Sequence, residues 1–434
     1  MRLTFYGGIE GEVGGNIISV ESEDTRIFLD MGINFQKRKK YFDDIFLRPS
    51  STKELESLGI LPLLDIFHQE ARIHCDGILI SHAHSDHYKF ISLVNRSIPI
   101  FLSEETAKII NAIYQTLTPS FENNYKNLKF ESISESKKIK IGEIEVFPLK
   151  VDHSIIGALA FLLFTPECTL LYTGDFRTHG LRRNLTEKLI EICKEEKIDV
   201  LITEATRCTD FSYTEEKEIK EKLDLVIKHV KNLAIIDISL LDLDRISSIV
   251  HAAIGSGRKI VVPPRLMFYL LSLQKYLTFS LEDFFLYQER KAYKHEWEKE
   301  TLSALSDKLI TPEKISFEPE KYIFINTFYS PAELKEIRPP PGSLYILSTS
   351  EPIDEERELS FDRLINWLEF FGLPLLQLHS SGHVDILSLH KLVKEVKPKV
   401  VFPIHTPNPI LVGKSLSAFA KVILPKKEIP YTFP

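Results

Sequence analysis

Three histidines and an aspartate stand within six consecutive positions of the chain, as His82-x-His84-x-Asp86-His87. They directly follow the apolar run 77–81, which has the length and composition of a buried strand. A tight turn behind a strand can direct all four side chains toward one point. Neutral imidazole and carboxylate ligands suit zinc, and catalytic zinc sites leave one position for water. We therefore predict a catalytic metal site here rather than a polar surface loop.

The cluster lies in a region of short strands. Apolar runs separated by glycine turns or by charged pairs occur at 2–6, 16–20 and 26–30, and more of them follow between 98 and 203. Helical periodicity is found in this region at Glu104 to Leu117 and at Glu187 to Lys197. The pattern predicts a sheet-rich layer with covering helices.

The organisation changes after Cys208. A charged helix is predicted from Glu215 to Val230, and the segments 234–238, 242–254 and 259–262 read as strand, helix and strand. Strand, helix, glycine and strand in this order indicate a parallel βαβ unit and a separate α/β domain. Short elements return near the end, where a helix with Asp385 as N-cap precedes the strand 399–402.

Composition limits the classes of partner without choosing among them. The 434 residues are 44% hydrophobic and 26% charged, enough material for two domains. No apolar run approaches the roughly 20 residues that cross a bilayer, and the first residues do not resemble a signal peptide. The net charge of −7 argues against a chain that coats nucleic acid through bulk charge, and the four cysteines are scattered. We expect a cytoplasmic protein with no membrane partner; a homodimer remains open.

Six further short motifs form an ordered series with the histidine cluster. They are Asp30 after Ile27-Phe28-Leu29, His153 after Val151-Asp152, Tyr172-Thr173-Gly174-Asp175, Ile202-Thr203-Glu204-Ala205-Thr206, His379-Ser380-Ser381-Gly382-His383, and Pro403-Ile404-His405. The series resembles the metallo-β-lactamase superfamily, whose H-x-H-x-D-H motif is matched by residues 82–87. The Glu204 and His379 to His383 motifs are similar to those of the β-CASP nucleases of the RNase J type.

The resemblance implies an α/β fold, a metallo-β-lactamase αββα sandwich interrupted by an inserted β-CASP domain with a Rossmann-like parallel sheet. The first part of the metallo-β-lactamase domain is predicted at 1–207, the β-CASP domain at 208–378, and the return segment at 379–434. This arrangement agrees with the α/β block found between two stretches of short elements.

The resemblance also implies a ligand set for two zinc ions, with Mn²⁺ as the open alternative. His82, His84 and His153 would hold one ion, Asp86, His87 and His405 would hold the other, and Asp175 would bridge them. Two cations roughly 3.5–4 Å apart can share a hydroxide and offset charge on a phosphoryl oxygen. Asp30 is expected behind the ligands, as an acceptor that orients an imidazole.

The catalytic residues that the resemblance implies are Asp86, Glu204 and His383. Held by Glu204, His383 would protonate the leaving 3′ oxygen, or it would only donate a hydrogen bond to phosphate. Substrate contacts are expected from His379, Ser381 and Gly382. Arg177, which begins a basic cluster two residues after Asp175, is a further candidate for phosphate contact.

The function implied is that of a zinc-dependent phosphodiesterase that cleaves single-stranded RNA by attack of a metal-bound hydroxide, as a 5′–3′ exonuclease, an endonuclease or both. A DNA nuclease of the same fold is the first alternative. A small-molecule ester or thioester hydrolase and a catalytically inactive scaffold are the others. The β-CASP-like block argues against the ester hydrolase, and the complete ligand set argues against the scaffold.

Overall fold

The computed structural model describes residues 1–43, 46–68, 74–209, 214–290, 294–327, 330–349 and 355–434, with 355–360 described by their backbone alone. The chain forms two compact units. The first unit comprises Met1–Thr178, Arg182–Tyr213 and Gly382–Pro434, and the second comprises His179–Leu181 and Thr214–Ser381.

The described strands, in chain order, are β1 (Arg2–Gly7), β2 (Ile17–Ser22), β3 (Thr25–Leu29), β4 (Gly77–Leu79), β5 (Pro99–Leu102), β6 (Lys129–Ser132), β7 (Ile139–Ile141), β8 (Ile144–Lys150), β9 (Leu159–Phe164), β10 (Thr169–Tyr172), β11 (Val200–Glu204), β12 (Ala234–Asp237), β13 (Lys259–Val262), β14 (Phe284–Tyr287), β15 (Leu309–Ile310), β16 (Tyr322–Asn326), β17 (Leu344–Leu347), β18 (Leu375–Gln377), β19 (Val400–Ile404), β20 (Lys421–Val422) and β21 (Pro430–Thr432).

The described α-helices are α1 (Phe35–Lys39), α2 (Thr52–Ser57), α3 (Ser85–Tyr88), α4 (Glu104–Thr116), α5 (Arg183–Glu195), α6 (Glu216–His229), α7 (Leu243–Ser256), α8 (Pro264–Ser272), α9 (Glu296–Ala304), α10 (Pro312–Phe317), α11 (Leu334–Ile337), α12 (Glu355–Phe371), α13 (Ile386–Val396) and α14 (Pro409–Leu416). None of them combines the length and hydropathy needed to span a bilayer.

The first unit contains two mixed sheets. One has the strand order β21-β1-β2-β3-β4-β5-β6, and the other has the order β20-β19-β11-β10-β9-β8-β7. Neighbouring strands along the chain pair antiparallel in β1–β3 and in β7–β10. The return segment adds β19 to the second sheet, parallel to β11. The polypeptide that follows the second unit therefore completes the sheet that the first 207 residues begin.

Apolar side chains of the two sheets form the core of the first unit. Phe5 and Val20 of the first sheet belong to one buried cluster with Phe161 and Phe402 of the second. The rings of Phe5 and Phe402 lie 5.2 Å apart. The other face of the second sheet is covered by α5, α13 and α14, which contribute buried side chains such as Leu189, Leu389 and Leu416. Each fully buried side chain of this kind contributes about 1.5–3 kcal/mol, so this layer fixes the strand ends firmly.

The second unit is built on one parallel sheet with the order β15-β14-β13-β16-β12-β17-β18. All its described strand pairs are parallel. The predicted βαβ unit corresponds to β12, α7 and β13, but β16 lies between the two strands. The insertion of a later strand between them is long-range pairing that local sequence cannot predict.

A buried ion pair ties the helices of the second unit to its sheet. Arg245 of α7 places Nε 2.7 Å from Glu216 Oε1 and Nη2 2.9 Å from Oε2, with both side chains fully buried. Its Nη1 donates to the carbonyl oxygens of Ser348 and Leu378, which follow β17 and β18. The fork of one guanidinium thus holds α6, α7 and two strand ends together.

Candidate metal centre

The candidate ligands of the first unit follow the carboxyl ends of strands. Asp30 follows β3, residues 82–87 follow β4, and His153, Asp175 and His405 follow β8, β10 and β19. In the second sheet β9 is antiparallel to β8 and β10, whereas β10, β11 and β19 are mutually parallel. β8, β10, β11 and β19 therefore run in the same direction, and their carboxyl ends lie along one edge of the sheet. The polar side chains meet at that edge.

One group of ligand atoms comes from His82, His84, His153 and Asp175. Their nitrogen and oxygen atoms all lie within 4.8 Å of one another. Nδ1 of His84 is 3.0 Å from Nε2 of His82 and 3.0 Å from Nε2 of His153. Asp175 Oδ2 lies 3.8 Å from His82 Nε2. The structure thus brings together the residues predicted for the first ion.

A second group comes from Asp86, His87 and His405, again within 4.8 Å of one another. His405 Nε2 lies 3.1 Å from Asp86 Oδ2. Asp175 Oδ2 is 3.1 Å from His87 Nε2 and 3.9 Å from His405 Nε2. Because this one carboxylate is close to both groups, it has the position that a bridging ligand needs.

The chemistry of these atoms fits a divalent cation. Among the residues that the structure describes, Asp175 Oδ1 is a buried side-chain atom without a hydrogen-bond partner, and the geometry of His87 Nε2 toward Asp175 Oδ2, 3.1 Å away, is not that of a hydrogen bond. Leaving a buried polar atom unpaired costs about 1–3 kcal/mol, and more when the group is charged. A cation held between the lone pairs removes that cost.

The ligand imidazoles are oriented through their other ring nitrogen. Nδ1 lies 3.0 Å from Ser81 Oγ in His82, 2.7 Å from Asp30 Oδ2 in His87, and 2.6 Å from the Gly382 carbonyl in His153. Each contact fixes the ring and leaves Nε2 directed into the centre. Sequence reasoning named Asp30 for this role and missed Ser81 and the Gly382 carbonyl.

Asp30 is itself held by three further groups. Its carboxylate accepts hydrogen bonds from the backbone N–H of Ser81 (2.7 Å), from the Ser81 hydroxyl (2.8 Å) and from the Tyr172 hydroxyl (2.5 Å). Tyr172 is fully buried and was not among the predicted site residues. It is the last residue of β10 and the first of the motif that ends at Asp175, and an aromatic residue at the end of a buried strand is ordinarily interpreted as part of the core.

The backbone around the centre is strained and closely packed. Asp30 and His405 have positive φ angles of 58° and 49°, uncommon for residues other than glycine. A Cβ at Gly32 would lie 1.5 Å from the Asp86 carbonyl oxygen, and one at Gly14 2.7 Å from Asp86 Cβ. The glycine-rich turns near the N-terminus therefore allow the backbone to approach Asp86.

Burial and neighbouring charges shift the pKa values of the ligand imidazoles in different directions. Burial lowers the pKa of His82 and of His153, and it lowers that of His84 to about 4. Burial also disfavours the charged form of His87, but Asp175, Asp86 and Asp30 outweigh it and raise its pKa. Neutral imidazole is the form that binds a metal, so the first group is ready to do so at neutral pH.

Glu204 and His383 form a pair beside the ligands. His383 Nδ1 lies 3.2 and 3.1 Å from the two carboxylate oxygens of Glu204, and 3.6 Å from Asp175 Oδ2. Burial lowers the pKa of His383, but the charges of Glu204 and Asp175 outweigh burial and raise it to about 9. The Glu204 side chain is 1% exposed and that of His383 is 25% exposed. Only the histidine of this pair can reach a substrate.

The predicted phosphate contact of Arg177 does not agree with the structure. Arg177 is fully buried, with Nε 3.1 Å from Asp152 Oδ1, and its backbone N–H donates to the Asp152 carbonyl at 2.7 Å. Its side chain is thus enclosed and cannot meet a substrate at the surface. Because Asp152 directly precedes His153, the ion pair supports the segment that carries this ligand.

The remaining predicted substrate contacts come from the motif at 379–383. The first three residues of this motif belong to the second unit and the last two to the first unit. His379 and Ser381 lie in the second unit, where the Ser381 carbonyl is 3.0 Å from His179 Nε2. Gly382 lies in the first unit, and its carbonyl faces His153. A Cβ at Gly382 would come 2.7 Å from Ser154 Oγ and 3.0 Å from His153 Cε1, so a larger residue would crowd this ligand. Phosphate contact by these three residues stays a prediction.

Residues 62–257 match the family model described as the beta-lactamase superfamily domain. This part of the chain is similar to the metallo-β-lactamase superfamily. Ribonuclease J of Helicobacter pylori J99 is 23% identical over 429 residues, with 93% of this chain and 56% of the relative covered. Ribonuclease J of Mycoplasma genitalium is also 23% identical, with 93% and 67% covered. For the Thermus thermophilus enzyme the values are 25%, 92% and 67%.

These relatives are longer proteins, and the chain spans 56% of the length of the Helicobacter pylori relative. Among solved structures, a protein of unknown function from Enterococcus faecalis V583 has a TM-score of 0.80 at 23% identity, with 99% of each chain covered. That similarity concerns the fold. The predicted α/β metallo-β-lactamase fold and the RNase J-like assignment are confirmed, and together with the His and Asp clusters they indicate a divalent metal centre.

Proposed function

We propose that the chain is a zinc-dependent phosphodiesterase that cleaves single-stranded RNA, as a 5′–3′ exonuclease, an endonuclease or both. The observation that carries this proposal is the Glu204–His383 pair, 3.1 Å apart, beside two groups of metal-ligand atoms. A metal centre without further catalytic groups can hydrolyse many kinds of substrate, so it does not identify the substrate. An adjacent proton donor suits a reaction whose leaving group is a poorly stabilised alkoxide, such as the 3′ oxygen of RNA.

Two zinc ions match the two groups of ligand atoms. His82, His84 and His153 would hold the first, Asp86, His87 and His405 the second, and Asp175 would contact both. When bound, such a pair acts as a Lewis acid that lowers the pKa of water and offsets charge on a phosphoryl oxygen. Imidazole and carboxylate also suit Mn²⁺, so Mn²⁺ is the alternative that metal analysis must compare.

The roles of Glu204 and His383 follow from their geometry. Glu204 faces Nδ1 of His383 with both oxygens, which fixes the ring and leaves Nε2 as the nitrogen that can donate toward a substrate. Glu204 also accepts a hydrogen bond from the Phe176 backbone N–H at 3.1 Å, so the carboxylate cannot rotate freely. In the proposed reaction His383 protonates the leaving 3′ oxygen as the P–O bond breaks.

Several relatives carry the name ribonuclease J, which supports RNA over other phosphodiesters. The competing substrates are DNA and a small ester or thioester. We would incubate the metal-loaded chain with end-labelled RNA bearing a 5′-hydroxyl, monophosphate or triphosphate, with DNA of the same sequence, and with a generic ester. The product ladder reports direction and end requirement together.

The expected result is cleavage of RNA that Asp86→Ala abolishes while it lowers the zinc content of the chain. A matched control is His390→Ala, which removes a histidine of α13 whose Nε2 contacts Ser415 outside the centre. Ester turnover without cleavage of either nucleic acid would contradict the proposal. Cleavage of DNA in preference to RNA would replace it with the DNA nuclease.

A further inference from the structure

The Thr206 hydroxyl lies between two parts of the candidate site. Its oxygen is 2.6 Å from Glu204 Oε2 and 2.8 Å from His405 Nδ1. It is also 3.1 Å from the His405 carbonyl, and the Thr206 backbone N–H donates to Glu204 Oε2 at 3.2 Å. One hydroxyl therefore contacts the carboxylate that holds His383 and the last metal ligand.

The direction of these hydrogen bonds follows from what each group can do. The carboxylate of Glu204 and the His405 carbonyl can only accept, and the hydroxyl has one proton. The carboxylate is nearer, at 2.6 Å against 3.1 Å, so the Thr206 hydroxyl donates to Glu204. Its lone pair then accepts from His405, whose proton must sit on Nδ1. That tautomer leaves the lone pair on Nε2, the atom 3.1 Å from Asp86 Oδ2 and closest to the second ligand group.

This arrangement differs from those of the other ligand imidazoles. The Nδ1 atoms of His82, His87 and His153 face a serine hydroxyl, the Asp30 carboxylate and a backbone carbonyl. His405 is instead joined through Thr206 to Glu204, and Glu204 is joined to His383. His405 also has a backbone conformation that is uncommon for residues other than glycine, with φ of 49°.

We infer that Thr206 is a positioning residue that couples the last metal ligand, His405, to the Glu204–His383 pair. The inference rests on the proposed function, because it assigns a role within the same two-ion centre. Removing the hydroxyl frees the His405 ring and its tautomer, while His82 and His153 keep their own supports. Affinity for one of the two ions should fall, and affinity for the other should not.

The test compares Thr206→Val, which removes the hydroxyl at similar volume, with Thr206→Ser, which restores it. Thr203→Val is the matched control: Thr203 is a buried threonine of β11 whose hydroxyl contacts the Glu204 backbone carbonyl at 3.2 Å. Zinc stoichiometry and affinity are measured on the full chain by competition with a chelator. Thermal unfolding of each variant establishes that it is folded, and Thr206→Ala replaces the valine variant if that one is not.

In Thr206→Val one of the two ions should bind about 10–100-fold more weakly, the range usual for groups that support a metal ligand. Thr206→Ser should recover a zinc affinity within about threefold of that of the original chain. The zinc affinity of Thr203→Val should equal that of the original chain. Equal affinities in Thr206→Val and the original chain would overturn the inference. Equal weakening of both ions would do so too, because it indicates general loosening.

The metal titration does not depend on RNA cleavage. If the original chain binds two ions but cleaves no RNA, the proposed function fails while the comparison of Thr206 variants still decides the coupling. If RNA is cleaved and Thr206→Val titrates like the original chain, the coupling fails alone. An original chain that binds only a single ion would contradict both the proposed two-ion function and the coupling through Thr206.

Discussion

Oδ2 of Asp30 lies 2.7 Å from Nδ1 of His87, and both side chains are fully buried. Oδ2 of the same carboxylate lies 2.5 Å from the hydroxyl of Tyr172. The His87 ring is thus held by the Asp30 carboxylate, and that carboxylate is held in turn by the buried Tyr172 hydroxyl. The orientation of the centre depends on this chain of contacts as well as on the ligands.

Replacement of Asp30 by alanine should weaken zinc binding by about 10–100-fold, because His87 loses the group that orients it. Chelator competition measures the change. Tyr172→Phe is the control: it keeps the Asp30–His87 contact and removes one hydrogen bond, at a cost of about 0.5–1.5 kcal/mol in the free energy of unfolding. Zinc affinity in Asp30→Ala equal to that of the original chain would show that Asp30 does not support the ligand.

His383→Ala should keep its zinc and slow the cleavage of RNA by about 10²–10⁴-fold, the usual contribution of a positioned acid. A phosphodiester with a nitrophenolate leaving group needs no protonation, so its hydrolysis should fall far less. Comparing the two substrates separates proton donation from phosphate binding. Equal losses on both substrates would assign His383 to phosphate binding instead.

Removal of one partner of the Arg245–Glu216 pair should destabilise the second unit strongly. Arg245→Ala leaves the buried Glu216 carboxylate without this cation, and such losses cost about 3–5 kcal/mol. Urea unfolding measures the cost. Lys222→Ala, which breaks an exposed pair with Glu218 on α6, should change stability by less than about 0.5 kcal/mol. A similar small effect from Arg245→Ala would mean that the pair does not hold the helices.

The cysteines should react slowly in the folded chain. Burial raises the pKa of Cys75 and of Cys193 to about 12. Cys168, Cys193 and Cys208 are buried, and Cys75 is half-buried. Since each pKa unit changes the thiolate fraction tenfold, Cys75 and Cys193 should be about 10⁻⁴ ionised at pH 8. A thiol reagent should modify all four cysteines rapidly only in denaturant. A rapid phase in the native state, mapped to Cys75 or Cys193, would be inconsistent with the structure around it.

Local pattern and motif predicted much of the fold and of the ligand groups. The helix predicted from Glu104 to Leu117 is found at Glu104–Thr116, because a serine cap and an apolar stripe are local signals. The His and Asp motifs lie at strand ends, where turns place them close together. The sheet order around β16 and the edge shared by β8, β10, β11 and β19 depend on long-range pairing, and no window of sequence contains them.

The supporting residues of the centre were less predictable. Arg177 is a cation two residues after Asp175, and only its burial against Asp152 shows that it cannot contact a phosphate. Ser81, Tyr172 and Thr206 act through single hydroxyls and follow no ligand spacing. The signal for Ser81 was its position directly before His82, and Tyr172 and Thr206 stand within the motifs that contain Asp175 and Glu204.

We propose that cleavage of RNA by this chain requires two metal ions held beside Glu204 and His383. Single-turnover cleavage of end-labelled RNA by metal-free chain, measured against added zinc equivalents, tests it most directly. The rate should be negligible without zinc and should reach its maximum at two equivalents per chain. Undiminished cleavage by the metal-free chain, or no cleavage at any zinc level while an ester is hydrolysed, would contradict the claim.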